Sequence, residues 1–104
     1  MNTELLNETV PLPKRLIRDA TLTSQDKVVF AAISLHAKKQ NSIELLPTRC
    51  IVTEDQIADT ANLQKNIVVT SFSRLRDHSF LTWNVIHITE GLNSWAYQVE
   101  LKWD

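Results

Sequence analysis

The stretch "TEDQIADTANLQKNIVVTSFSRLRDHSFL", Thr53 to Leu81, decides the fold. It holds no glycine, yet its helical period is interrupted at one place, "TANLQ". Thr53 opens a short helix, with Gln56 three positions later as the reciprocal capping partner. Asn62 suits the turn, because after glycine asparagine tolerates a left-handed backbone most readily. A further helix is predicted from about Gln64 to Asp77. At 100° per residue its buried stripe is Val68, Phe72 and Leu75. Asn66, Thr70, Ser73 and Asp77 point the other way, flanked by Lys65, Val69 and Arg74. The core stripe is large, and the opposite face is small and polar.

Upstream, "VPLPKRLIRDATL" begins with two prolines that force extended backbone, after which Leu16 and Ile17 are expected to anchor a short helical turn. In "TSQDKVVFAAISLHAKK", Thr23 is the N-cap and Asp26 its partner. Val28, Val29, Ala32, Ile33 and Leu35 form the apolar face, and two lysines close the last turn. "NSIELLPT" reads as a connection and "RCIVT" as a short strand of branched residues. After "SFL" the period changes to two. "LTWNVIHIT" and "WAYQVELKW" are predicted strands joined by "EGLNS", where Gly91 and Asn93 supply the turn chemistry. Tyr97, Val99, Leu101 and Trp103 alternate and are expected to pack on the helices. The expected order is helix, strand, helix, helix, strand, strand.

Composition bounds what such a chain does. At 104 residues and 43% hydrophobic it builds a single core. No apolar run of membrane-spanning length and no basic start followed by an apolar stretch is present, so a cytoplasmic protein without a membrane is expected. The lone Cys50 cannot form an internal disulfide and reads as a small buried hydrophobe. The net charge is −1, but Lys14, Arg15, Arg18, Lys27, Lys38 and Lys39 stand against only Asp19 and Asp26 between Pro11 and Lys39. That gives the N-terminal third a local basic excess.

"IADTANLQKNIVVTSFSRLRDHSFL" resembles the winged helix-turn-helix of DNA-binding proteins. Counting from Ala58, the turn residue Asn62 comes four later and the buried Val68 ten later, with Ile57 and Leu63 as flanking core positions. Ser79 stands where that family usually has glycine, followed by Phe80 and Leu81. "VPLPKRLIRDATLTSQDKVVFAAISLHAKK" is similar to the opening of winged-helix domains in plasmid and phage replication initiators. Together the two likenesses cover roughly residues 10 to 90. The resemblance implies an α+β winged helix-turn-helix with an extended N-terminal arm: residues 1–21 as the arm with its helical turn, 22–81 as a three-helix core, and 82–104 as a two-stranded wing.

The function implied is sequence-specific binding of double-stranded DNA in plasmid or phage DNA metabolism, either replication initiation or transfer-origin recognition in conjugation. Short side chains on the exposed face let the third helix seat in the major groove, and its N-terminal N–H groups meet phosphate. Gln64 and Asn66 have the amide geometry to read adenine, and Val69 or Thr70 suits a thymine methyl. Lys65, Ser73 and Arg74 are placed for phosphate. Arg76 lies nearer the core side, as an ion-pair partner or a flanking phosphate contact. The tip "TEGLNSW" offers an acid and no base, so the wing is expected to add little affinity. Lys14, Arg15 and Arg18 are expected to reach a flanking phosphate or the minor groove instead. A transcriptional repressor of the same fold and a winged-helix protein–protein adaptor are the alternatives.

Enzymatic chemistry finds no support. Asp77, His78 and Ser79 are consecutive and point in different directions. His36, His78 and His87 lack metal-ligand spacing, and a single glycine leaves no phosphate-cradling loop. No enzyme activity, cofactor or metal is therefore expected. Trp83, Trp95 and Trp103 read as core or sheet packing, with Trp95 or Trp103 the candidates for a partner interface. Nothing in the sequence demands a homodimer; if one forms, the strand ending in Trp103 is the candidate seam. A replication or relaxosome protein is a further candidate partner.

Overall fold

The computed structural model describes residues 12–41, 48–88 and 94–103. The turn expected at Gly91 and Asn93, and residues 42–47 of the connection, lie outside the described residues. The elements are α1 (Lys14–Arg18), α2 (Ser24–Gln40), β1 (Arg49–Val52), α3 (Glu54–Ala61), α4 (Lys65–Asp77), β2 (Leu81–Ile88) and β3 (Ser94–Leu101). Among the described residues these make an α+β fold of four helices and one three-stranded antiparallel sheet ordered β1-β3-β2. No described helix is long and apolar enough to cross a membrane.

Local sequence sets the helix ends. Thr23 accepts from the Asp26 backbone N–H while the Asp26 carboxylate accepts from the Thr23 N–H, and Thr53 with Gln56 repeats the arrangement on α3. Each box satisfies two N–H groups that a helix start otherwise leaves open. Asn62 ends α3 in the left-handed region at φ 56° and ψ 47°, which turns the chain sharply into α4. Ser79 is also left-handed, at φ 65°, at the position where the resembled family usually has glycine.

α2 runs through the centre of the molecule. Val29, Ala32, Ile33 and Leu35 are buried as expected, but so are Phe30, Ala31, Ser34 and Ala37 on its other sides. α3, α4 and β1 all pack against it. The core continues through Ile57, Val68, Phe72, Leu75, Phe80, Leu81, Val99 and Leu101. Phe72 stacks on Trp83 with ring centroids 4.1 Å apart and meets Tyr97 edge-on, so β2 and β3 are clamped onto α4 by aromatic contact. Trp103 packs edge-to-face on Phe30.

Three expectations need correction. The short helical turn expected in the N-terminal segment is α1, but from residue 12 onward this segment is not an extended arm: α1 docks on the body through Leu16, which is fully buried, whereas Ile17, the other expected anchor, is 55% exposed. Residues 1–11 of the expected arm lie outside the described residues. β2 and β3 pair antiparallel as expected, but the sheet does not stop at two strands: β1 pairs with the other side of β3, Cys50 facing Val99 and Val52 facing Tyr97. β3 is consequently the central strand with both edges occupied, so the strand ending in Trp103 offers no free seam for a homodimer.

Candidate nucleic-acid interface

α3, the Asn62 turn and α4 present one continuous surface. On α4, Lys65, Asn66, Val69, Thr70 and Ser73 fall within an arc of about 140°, opposite the buried Val68, Ser71, Phe72 and Leu75. Lys65, Asn66, Val69 and Thr70 are exposed and Ser73 is half-buried, with no described strand laid across them. Gln64, the N-cap residue, is exposed and its side chain makes no capping bond. The Thr70 hydroxyl donates to the Asn66 carbonyl within the helix. The side chains expected at the groove are thus brought together on one outward face.

Two of the expected phosphate contacts are placed elsewhere. The Arg74 guanidinium Nη1 donates to both carboxylate oxygens of Asp26 at 2.9 Å, and the Asp26 side chain is fully buried while that of Arg74 is 36% exposed. At roughly 180° from Lys65 on the helix wheel, Arg74 faces α2 rather than solvent. Burial alone would push the Asp26 carboxyl upward in pKa. Hydrogen bonds from Arg74, from the buried Ser71 hydroxyl and from the Thr23 N–H, with the Arg74 charge, outweigh it and hold the carboxyl below its ordinary value. Arg74 is therefore a lock between α2 and α4.

Arg15 is the second. Its guanidinium donates to the His78 and Ser79 carbonyls at 3.1 Å and lies 3.9 Å from the centre of the Phe80 ring. It caps the C-terminal end of α4, where carbonyls lack helical partners and the dipole favours a cation. Asp19 joins this corner, 3.4 Å from His78 Nδ1; hydrogen bonds from the Thr21 hydroxyl and N–H, first among the causes, lower its pKa against its partial desolvation. All three of the basic trio are exposed on α1, but Arg15 is engaged with the end of α4 while it remains at the surface.

The remaining charges limit the field around α4. Lys65 Nζ lies 3.3 Å from the Asp55 carboxylate, both largely exposed. Such a pair contributes about 0–1 kcal/mol and yields easily to a phosphate. Arg76 is half-exposed, lies 4.5 Å from the centre of the Trp83 ring and pairs with Asp77, so it faces β2 rather than the core. A cleft of about 290 Å³ opens beside the start of α4, lined by Glu54, Asp55, Lys65, Val85, Trp95 and Tyr97 among others. The Tyr97 hydroxyl donates to Glu54 across it, and Trp95 is 64% exposed.

Sequence reasoning missed Asp26 as an organising residue, whereas Trp83, expected in core or sheet packing, stacks on Phe72. Asp26 announces itself only as a capping residue, and its partner is 48 positions away. No group of three metal-ligating side chains occurs among the described residues. No protein-family model, curated protein or solved structure matches the chain.

Proposed function

We propose that the protein is a winged helix-turn-helix that binds double-stranded DNA sequence-specifically, with α4 in the major groove. The observation that carries this reading is the uncovered stripe of Lys65, Asn66, Val69, Thr70 and Ser73 on a helix whose other face is core. Its side chains are short enough for close approach to base edges, and Asn66 presents the donor and acceptor pair that suits adenine. Gln64 stands at the entry of α4, whose first N–H groups have no carbonyl partner within the helix and suit a phosphate. Lys14 and Arg18 supply flanking positive charge, with Arg15 and Arg74 withdrawn into structural roles.

The resemblance of residues 10 to 39 to plasmid and phage initiators supports a place in replication initiation or in transfer-origin recognition, with a replication or relaxosome protein as companion. A transcriptional repressor uses the same surface in the same way. The test is anisotropy titration of labelled duplexes covering the DNA around the protein's own gene. One duplex is expected to bind well above the rest, with affinity falling steeply as salt rises. Lys65→Ala is expected to weaken all duplexes alike, and Asn66→Ala to erase the preference. Absence of salt-sensitive duplex binding would refute the proposal.

The cleft favours a second reading, a winged-helix adaptor for a protein partner. Glu54 and Asp55 repel phosphate, while the exposed Trp95 and Val85 beside them suit an apolar or cationic side chain. Trp95→Ala separates the two readings, since it leaves DNA affinity intact in the first and abolishes partner binding in the second.

A further inference from the structure

The two edges of the sheet are treated differently. On β1, the outward N–H of Ile51 donates to Gln40 Oε1 at 2.9 Å and Gln40 Nε2 donates back to the Ile51 carbonyl at 2.8 Å. Asn41 Nδ2 donates to the Arg49 carbonyl. Side-chain amides at the end of α2 thus stand in for a neighbouring strand and close that edge.

β2 forms the opposite edge. Leu101 donates its N–H to Thr48 on the β1 side and Lys102 donates its own to Phe80 on the β2 side, so alternate residues address alternate neighbours. By the register of Thr82 with Glu100, Asn84 with Gln98 and Ile86 with Ala96, those three β2 residues bond inward to β3. Trp83, Val85 and His87 turn their N–H and C=O groups outward, and no described strand receives them. Natural edge strands are usually protected by lysine, proline, a bulge or shortness. "LTWNVIHI" has eight residues with no Asp, Glu, Lys, Arg, Pro or Gly, whereas β1 carries Arg49 and β3 carries Glu100. Val85 is 56% exposed, and Trp95 on the adjacent strand is more so.

We infer that the outer edge of β2 pairs antiparallel with β2 of a second copy of this chain, about a two-fold axis at Val85. A second copy is the fitting occupant because self-pairing brings identical residues together, and a strand without charge does so without like-charge repulsion. Val85 faces its own counterpart and Trp83 faces His87 of the other copy, giving about six backbone hydrogen bonds across three paired positions. The joined sheet has six strands, and its axis, perpendicular to the sheet, leaves both α4 helices on the same side. This pairing does not depend on the DNA reading.

The test is sedimentation equilibrium of the full chain, with amide hydrogen exchange at low and high concentration. A dimer dissociating in the micromolar range is expected, with the Trp83, Val85 and His87 amides protected more strongly as concentration rises. Val85→Lys places two like charges on the axis and is expected to weaken dimerisation at least about tenfold, with unchanged circular dichroism because the position is exposed. A chain that stays monomeric to about 200 µM, or a dimer in which those amides exchange at the same rate at all concentrations, would overturn it.

Discussion

Arg74→Ala is the most informative single substitution, because sequence and structure assign this arginine different work. In the native protein its guanidinium meets an Asp26 carboxylate that has no exposed surface. Removing one partner of a buried pair costs about 3–5 kcal/mol, chiefly from the charge left behind. The lower part of that range and somewhat below applies here, since Arg74 is partly exposed and Asp26 keeps its bonds to Ser71 and the Thr23 N–H. The expected loss is about 2–3 kcal/mol from a total stability of about 5–15 kcal/mol. With a urea slope of about 1–1.5 kcal/mol per molar, the unfolding midpoint falls by roughly 1.3–3 M. The pH dependence has a fixed sign. Because folding depresses the Asp26 pKa, its contribution is complete above the ordinary carboxylate value near about 4 and is lost as pH falls through the lower folded value. The gap between native protein and variant therefore narrows in acid. Urea unfolding at neutral and acid pH checks both statements. A loss under about 0.5 kcal/mol, typical of a surface pair, together with a drop in duplex affinity, would return Arg74 to the phosphate contacts and rule out its role as a lock.

Further outcomes follow from the same geometry. Ser79→Gly relieves a left-handed non-glycine residue and is expected to raise stability by about 0.5–1 kcal/mol, read by thermal unfolding; a decrease would mean the serine side chain holds the turn. Cys50 is buried with its thiol pKa pushed up to about 12, so it should react with a maleimide only after unfolding, and rapid labelling of native protein would contradict its place in the core. The double change Lys14→Ala, Arg18→Ala should weaken duplex binding and reduce its salt slope by up to about two, with folding intact because both are exposed; an unchanged slope would remove α1 from the interface.

What was legible in the sequence was local. Both capping boxes, the Asn62 turn and the Val68–Phe72–Leu75 stripe depend on residues within a few positions of one another, where helix geometry alone decides who meets whom. The phase of α4 also follows from spacing, so the exposed face of the candidate site was visible too. Tertiary partnerships were not legible. Arg15 reaches carbonyls more than sixty residues away, and Arg74 reaches Asp26 across the core, so neither sequence window contains the partner that withdraws the charge. The apolar spacing of α2 suggests one buried side, because a 3.6-residue period singles out a single stripe. In the fold the helix is enclosed on several sides, where Ala31, Ser34 and Ala37 are small enough for close packing. The role of β1 followed the same rule: four residues predict a strand, but only the folded chain pairs it with β3 and leaves β2 at the edge.

The claim that the outward stripe of α4 enters duplex DNA is tested most directly by residue-resolved amide chemical shifts as a random-sequence duplex is added at low salt. The largest changes are expected on Gln64, Lys65, Asn66, Val69 and Thr70, with smaller ones at Lys14 and Arg18, and added salt should reverse them. Shifts that leave α4 untouched, or no shifts at all, would contradict that claim.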